Sequence, residues 1–488
     1  MRNFKKSTIG LLGLIAFSVL LSSCGSVKHA HNQTPSVPKP KNIIFFIGDG
    51  MGYNHVLATN YFVYGEAPAQ PYEMEGWTQL ALSTYPAIIS YRDGQKIFSD
   101  GYSPNRAWSD AEYVSLGYTD SGAGGTALAT GRKTFNNSIG IGPTGDTLVQ
   151  VTASAEALGK ATGIVSSVHM NHATPASFAA HNQSRRNLME IARYMLFNTS
   201  IDLIMTTGHP YADDIGQVAR GDDRFVGGRE LWRMMEATST ATEFQVDGEV
   251  LRVKDADGDG VPDPWTVIDT RAEFRGLASG PTPKRVLGIA MANSTLQQAR
   301  LTPPRPVLPF EEPFNESVPT LAEMTQSALN VLSKDPDGFF VMIEGGAIDW
   351  AGHDNDLTRI IEEQHDFNQA IKEAIRWVEA NSSWEETLII VTSDHETGHL
   401  TGPDHPENIN SPVVNKGKGN MPGHKFNSDD HTNKLVPFYA KGIGQKVFEI
   451  MAGGYDPVRG FYLQNVQVPQ AIFLMWGKPQ NAAIRSAN

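Results

Sequence analysis

The chain reads as a series of strand-length apolar runs, each ending in a polar cluster. "NIIFFI" runs into Gly48-Asp49-Gly50, and "ATGIVSSV" into His169 and then "NHATP". "IDLIM" leads to Thr206-Thr207-Gly208-His209, "GFFVMI" stops at Glu344, and "TLIIVT" stops at Ser393-Asp394-His395. Helix-like segments lie between them, notably 320–333 and 358–381. Runs that are apolar throughout, rather than at every second position, belong to strands buried on both faces. Such strands joined by helices build parallel sheets. The pattern predicts an α/β protein: a three-layer α/β/α sandwich with a large, mostly parallel central sheet. Ligands of such folds gather beyond the carboxyl ends of the strands, where the polar clusters fall. One stretch breaks the rhythm. From about 209 to 319 the chain is rich in Gly, Pro and acidic residues, and only "RVLGIAM" looks like a strand. It is read as an accessory lobe inserted into the domain. No internal repeat is evident.

The segment "YVSLGYTDSGAGGTALATGRK" (113–133) sets Asp120 and Ser121 at the mouth of a run of Gly, Ala and Thr. A buried helix can use small residues for tight packing alone. A serine at its start adds a hydroxyl where free N–H groups and the macrodipole favour an anion. The small residues are expected to let a substrate approach closely.

At 488 residues, 40% hydrophobic and 19% charged, the composition is that of a globular protein. The formal net charge of −13 argues against general nucleic-acid binding. An anionic substrate would need local cations to overcome that field, and bound metals supply them. The N-terminus has a basic start (Arg2, Lys5, Lys6) and an apolar run to Leu21 that is short for a membrane span. It reads as a signal peptide. Leu21-Ser22-Ser23-Cys24 resembles a bacterial lipobox, in which the cysteine is acylated and becomes the mature N-terminus. Cys24 is the only cysteine, so disulfides and thiolate metal sites within the chain are excluded. The expected organisation is a lipoprotein signal peptide over 1–24, a polar tether over 25–41 and one domain over 42–488. The expected location is exported, periplasmic or at the cell surface, with a lipid anchor on Cys24 holding the protein to a bacterial membrane.

"EGGAIDWAGHDND" contains Glu344, Asp349 and His353, and on a helical turn Asp349 and His353 share a face. Carboxylate with imidazole suits zinc. Asp394 and His395 are adjacent at a strand end, where a loop lets both turn to one site. Asp49 lies between glycines, and His431 precedes another strand-like run. A lone Asp–His pair is usually a hydrogen-bonded loop. Recurrence at several strand ends points instead to a multi-metal site. "DADGDGVPD" presents Asp255, Asp257, Asp259 and Asp263, with Gly260 at the sharp turn. Alternating carboxylates of this kind open a calcium loop, although Thr266 stands where an EF-hand has glutamate. The choice is between a structural calcium outside the reaction and a solvated Asp-Gly turn.

"IGDGMG", "TDSGAGGTALATG", "NHATPASFAAHNQSR", "EGGAIDWAGH", "SDHETG" and the His431 segment occur in that order from residue 43 to about 440. Together they resemble the motif set of the alkaline phosphatases. The resemblance implies a phosphomonoesterase in which Ser121 is the nucleophile and forms a phosphoserine intermediate. It implies one zinc on Asp349, His353 and His431, and a second on Asp394, His395, one oxygen of Asp49 and Ser121. It implies a magnesium on the other oxygen of Asp49, Thr174 and Glu344. Arg185 would grip phosphate oxygens, oriented by Asp120. His172 stands where some bacterial members have aspartate and animal members histidine. Trp350 replaces a lysine or histidine that approaches the phosphate. These two positions bear on the metal preference of the third site and on phosphate affinity. The implied partners are small phosphate monoesters, and family members are commonly homodimers. Metal coordination would let the serine act as alkoxide, and a second ion would stabilise the leaving group. Sulfate ester hydrolysis is disfavoured because Ser121 is followed by Gly-Ala-Gly-Gly and not the C/S-x-P-x-R pattern. A phosphodiesterase on the same scaffold is the nearer alternative; those relatives generally lack the magnesium ligands and use threonine as nucleophile. A non-catalytic metal- or phosphate-binding lipoprotein is the third reading.

Overall fold

The computed structural model describes residues 37–92, 94–300 and 308–478; Cys24 and the segment read as a signal peptide lie outside them. The central sheet has 11 strands. In chain order they are β1 Asn42–Gly48, β2 Thr78–Ser83, β3 Ala161–His169, β4 Leu203–Thr207, β5 Thr266–Ile268 and β6 Val286–Ile289. They continue with β7 Phe339–Gly345, β8 Thr387–Thr392, β9 Val436–Gly442, β10 Gly454–Asp456 and β11 Gly460–Gln464. Their spatial order is β10-β11-β2-β9-β8-β1-β7-β3-β4-β6-β5. From β8 to β5 every neighbouring pair is parallel. β9 runs antiparallel to both β8 and β2, and β10 antiparallel to β11.

The helices that matter for the site are α1 Tyr53–Tyr64, α2 Ser121–Thr130, α3 Ala173–Ser177, α4 Leu321–Leu332, α5 Ala347–His353 and α6 Leu357–Asn381. The strands are apolar on both sides because helices cover both. Ile43, Phe45 and Ile47 pack on one face with Leu128 of α2 and Ala173 and Ala176 of α3. Ile44 and Phe46 pack on the other with Met324 and Ala328 of α4 and Phe367, Ala370 and Ile371 of α6. Phe45 meets Phe178 edge-on at 5.8 Å, and Phe46 meets Phe367 at 5.8 Å. Each such ring taken from water contributes about 1.5–3 kcal/mol. The sheet is therefore held from both sides.

Register places the chemistry. Ile47 of β1 pairs with Glu344 of β7 and with Thr392 of β8. Side chains alternate faces with period two, so Glu344 continues the Phe340/Met342 series on the α2 face. Asp49 and Asp394 follow Ile47 and Thr392 by two residues, just past the strand ends. Three acids on three neighbouring strands thus reach the same edge and the same face.

The 209–319 stretch is less detached than its composition suggests. Val286–Ile289 is the strand expected from "RVLGIAM", but Thr266–Ile268 also joins the sheet, as its edge. Three residues are too few for a periodic signal. A separate hairpin, Glu243–Val246 with Glu249–Arg252, turns at Asp247 (φ 53) and Gly248 (φ 80). Positive φ at both turn positions is what an Asp-Gly hairpin turn requires. No described helix is long and apolar enough to cross a membrane.

Candidate active site

Asp120 caps α2: it is extended, with φ −94 and ψ 169, and its Oδ1 accepts from the Ala123 amide at 2.9 Å. The helix ends at Gly131, whose φ is 73. Gly122, Gly124 and Gly125 each cost this helix about 1 kcal/mol relative to alanine, so packing must hold it. The small residues serve that packing. A Cβ on Gly122 would meet the Ser138 carbonyl at 2.9 Å, and one on Gly125 would meet Ser177 Oγ at 3.0 Å. Ser121 is 1% exposed in the first turn, with Oγ 3.1 Å from His395 Nε2.

The predicted metal ligands come together in three overlapping groups. In the first, Asp349 lies 3.5 Å from both His353 Nε2 and His431 Nε2. His353 Nδ1 is 2.6 Å from the Asp429 carbonyl, and His431 Nδ1 is 2.8 Å from the Thr119 carbonyl. A carbonyl can only accept, so each Nδ1 carries the proton and each Nε2 of the neutral ring is a bare lone pair. Those two lone pairs face each other at 3.1 Å. Neutral rings would set two acceptors against each other, so a proton or a metal cation must lie between them, and the carboxylate with two imidazoles is a donor set that fits a zinc ion.

In the second group, His395 Nε2 lies 3.4 Å from Asp49 Oδ1 and 3.2 Å from Asp394 Oδ2. Thr397 fixes its tautomer. Its hydroxyl donates to Asp349 Oδ1 at 2.5 Å, so it accepts from His395 Nδ1 at 3.2 Å. In the third, Thr174 Oγ1 reaches Asp49 Oδ2 at 3.3 Å, His172 Nδ1 lies 3.8 Å from the same oxygen, and the Ser166 hydroxyl donates to Glu344 Oε2. Asp49 Oδ1, Glu344 Oε1 and His172 Nδ1 are buried and without hydrogen-bond partners among the described residues. Orphaned buried polar atoms are rare enough to demand a ligand.

The electrostatics of the site also calls for cations. Burial pushes Asp394 up to about 7 and Glu344 up to about 8, with neighbouring acids adding to both. Burial raises Asp49 well above the ordinary carboxylate range, helped by Asp394, Asp349 and Glu344. Burial also drives His395 and His172 well below the usual imidazole range, and surrounding cationic groups lower them further. So many acids cannot ionise together in a dry site unless cations accompany them.

Arg185 Nη1 donates to Asp120 Oδ2 at 3.1 Å, and Nη2 lies 3.3 Å from His172 Nε2. The Trp350 ring lies 5.9 Å from His172 and 6.3 Å from His169. Ser121, His172, Arg185, Asp349, Trp350, His353 and His431 line one cleft of about 410 Å³, joined by Gln298, Asp354 and Asp430. Gln298 comes from the 209–319 stretch and donates to Asp354 at 2.9 Å. Thr397, Ser166 and Gln298 carried no readable signal: each acts through tertiary position alone. Asp430 could have been found as the neighbour of His431.

The 255–263 loop differs from expectation. Asp257, Asp259 and Asp263 do converge, but on the Lys284 ammonium, at 2.6, 3.1 and 2.8 Å. Asp255 takes the amides of Gly258 and Gly260, each at 2.7 Å. A distant lysine supplies the positive charge, and local spacing could not reveal it.

The sequence model of the family described as "Alkaline phosphatase" matches residues 40–453. The chain belongs to the alkaline phosphatase family. Alkaline phosphatase 3 of Bacillus subtilis (strain 168) is 30% identical over 404 residues, 82% of this chain and 71% of that protein. The alkaline phosphatase of Escherichia coli (strain K12) is 28% identical over 375 residues, 75% of this chain and 72% of its own. Among solved structures, the alkaline phosphatase of the Antarctic bacterium TAB5 has a TM-score of 0.59 at 23% identity and covers 91% of this chain and 100% of its own. That of Thermus thermophilus has a TM-score of 0.61 at 20% identity, covering 94% and 96%. Both share the fold. As an alkaline phosphatase, this family member is a metal-binding phosphoric monoester hydrolase.

Proposed function

We propose that Ser121 takes the phosphoryl group from a phosphate monoester and passes it to water. The observation that carries this reading is the position of Ser121 Oγ. It sits at a helix start, beside His395, in the cleft that Arg185 and the His353/His431 pair also line. The Ser121 oxygen would bond to phosphorus as the ester oxygen leaves. Water would then attack the phosphoserine, freeing the Ser121 oxygen and releasing inorganic phosphate. The α2 N-terminus favours the negative phosphoryl group. The planar fork of Arg185, steadied by Asp120, suits its non-bridging oxygens.

Asp349, His353 and His431 would hold one zinc; Asp394, His395, Asp49 and Ser121 would hold the other. Zinc there would lower the serine hydroxyl pKa and neutralise the leaving alkoxide. Asp49, Thr174 and Glu344 offer oxygen ligands, which suit magnesium. A variant of the TAB5 enzyme has magnesium bound in its M3 site. His172 would bring nitrogen close to this position, and Trp350 brings no charge to the phosphate. The first would weaken selectivity for magnesium, and the second the grip on product. The Leu21-Ser-Ser-Cys24 pattern supports export with a lipid on Cys24, testable by loss of fatty-acid labelling in Cys24→Ala. For the 255–263 loop we propose calcium only in competition with Lys284.

The test is hydrolysis of p-nitrophenyl phosphate against bis-p-nitrophenyl phosphate at alkaline pH, with zinc and magnesium supplied. Monoester turnover far above diester turnover, abolished in Ser121→Ala, is expected. A diester preference would overturn the substrate class, and no turnover of either would favour a binding protein.

A further inference from the structure

A second cavity lies apart from the serine cleft and shares no lining residue with it. It opens where α1 begins and is bounded by Trp108, His399, His405, Lys434 and Arg459. Its volume is about 40 Å³ of space for water centres, room for about three waters or one phosphate-sized anion.

Its walls are largely apolar, with donors at one side. Tyr53 and Asn54 line the cavity as the first residues of the 12-residue α1, so their amides have no acceptor within the helix. The N-cap, Gly52, offers no side-chain cap, and the Glu396 side chain packs against it, so closely that a Cβ on Gly52 would stand 2.4 Å from Glu396 Cγ. The Arg459 guanidinium lies over the Tyr53 ring at 3.9 Å. Among the described residues, neither it nor the Lys434 ammonium forms an ion pair or a side-chain hydrogen bond. His405 is 5% exposed, and its Nδ1 is buried without a hydrogen-bond partner among the described residues.

The two carboxylates in the lining are already engaged. Glu396 accepts from the Leu400 amide at 3.0 Å and from the Thr432 hydroxyl. Asp110 accepts from the Glu112 amide at 3.1 Å and from Arg106 at 3.3 Å. Two cations, a helix start and a buried imidazole nitrogen therefore border one small space, in which the Glu396 carboxylate offsets part of the Lys434 charge and Arg459 has no acid partner among the described residues. Burial lowers Lys434 to about 8 even with the Glu396 carboxylate raising it, which leaves it mainly charged at pH 7, and a further anion beside it would favour the charged form.

We propose that this cavity is a second oxyanion site, taking one phosphate-sized tetrahedral anion independently of Ser121. The α1 amides and His405 would hold its oxygens, and Lys434 and Arg459 would balance its charge. The proposal rests on this cavity alone and does not need Ser121 to be catalytic.

The experiment is calorimetric titration of inorganic phosphate into the full chain at pH 7, with zinc and magnesium present. Wild type is compared with Lys434→Met, Arg459→Met and Arg459→Lys. The expected result is one phosphate fewer per chain, or at least tenfold weaker binding at one site, in both methionine variants. Arg459→Lys should keep the site. Melting temperature and p-nitrophenyl phosphate turnover close to wild type would show that the variants fold. A difference of one phosphate between wild type and variants upholds the site even if the serine cleft binds none. Equal stoichiometry and affinity in wild type and both folded methionine variants would overturn it.

Discussion

Gly124 of α2 lies against Asp394 so closely that a Cβ there would stand 3.0 Å from the Asp394 carbonyl oxygen and 3.2 Å from its Cβ. The helix that begins at Ser121 and the loop that carries Asp394 and His395 are thus set against each other through a missing methyl group. Gly124→Ala would gain about 1 kcal/mol of helix propensity. It would lose about 1–3 kcal/mol to overpacking against backbone that cannot step aside. Movement of Ser121 relative to His395 by a fraction of an ångström should harm turnover more than stability. The expected outcome is a modestly lower melting temperature with kcat down by about 10- to 100-fold. Wild-type kcat in the alanine variant would show that the contact is slack.

Chelation should act on stability as well as activity. The facing Nε2 atoms of His353 and His431, and the orphaned oxygens of Asp49 and Glu344, leave the ion-free site with uncompensated groups. EDTA should abolish turnover and lower the melting temperature, and zinc with magnesium should restore both. The His353 side chain is 38% exposed, the most open of the first group, so His353→Ala should fold. It should raise the zinc concentration for half activity by about tenfold or more. An unchanged zinc requirement would remove His353 from the ligand set.

Arg185 and Asp120 separate positioning from charge. Asp120 caps α2, accepts from the Asn137 amide at 3.0 Å and holds Arg185 at 3.1 Å. Asn caps helices as well as Asp, so Asp120→Asn should keep the cap at Oδ1, while an amide nitrogen in place of Oδ2 releases both Arg185 and the Asn137 amide. KM should rise with little change in melting temperature. Arg185→Lys keeps the charge but loses the fork, and kcat/KM should fall by about 10- to 100-fold. A lysine variant as active as wild type would mean that the guanidinium never grips the phosphate.

The sheet was legible because its strands are apolar throughout, and the acids Asp49, Glu344 and Asp394 because each ends such a run. The residues that fix the ligands were not. Thr397 joins Asp349 to His395, and Ser166 holds Glu344, yet both are ordinary strand or loop residues in sequence. The small-residue run of α2 was legible as a helix but its packing partners were not, because they come from 138, 177 and 394. Lys284, some 20 positions from the loop it neutralises, lay beyond any local pattern.

Glu363 offers a pH test away from the site. It is buried in α6 beside Arg300, Glu362 and Asp366, and its Oε1 finds no partner among the described residues. Burial lifts its carboxyl to about 8, with Asp366 adding to the rise. A carboxyl raised in the folded state binds more protons there than when unfolded. Its contribution is therefore full below its unfolded value, near 4.5, and is lost as pH rises to about 8. Glu363→Gln mimics the protonated form and should remove that loss. Urea midpoints should favour the glutamine variant increasingly from pH 5 to pH 9. Parallel pH profiles would place the Glu363 carboxyl in the ordinary range.

The acidic loop allows calcium and lysine to be set against each other. Lys284 sits among Asp257, Asp259 and Asp263, so any calcium there must first displace an ammonium that is already paired three times. Lys284→Met removes that competitor and leaves three carboxylates facing one another. In EGTA the variant should melt below wild type, because like charges within a few ångströms repel. With millimolar calcium it should recover and gain more than wild type does, since oxygen ligands at alternating positions are what calcium takes. A wild-type shift as large as the variant's would mean that calcium displaces Lys284 readily. No calcium response in either would leave Lys284 as the loop's own counter-ion.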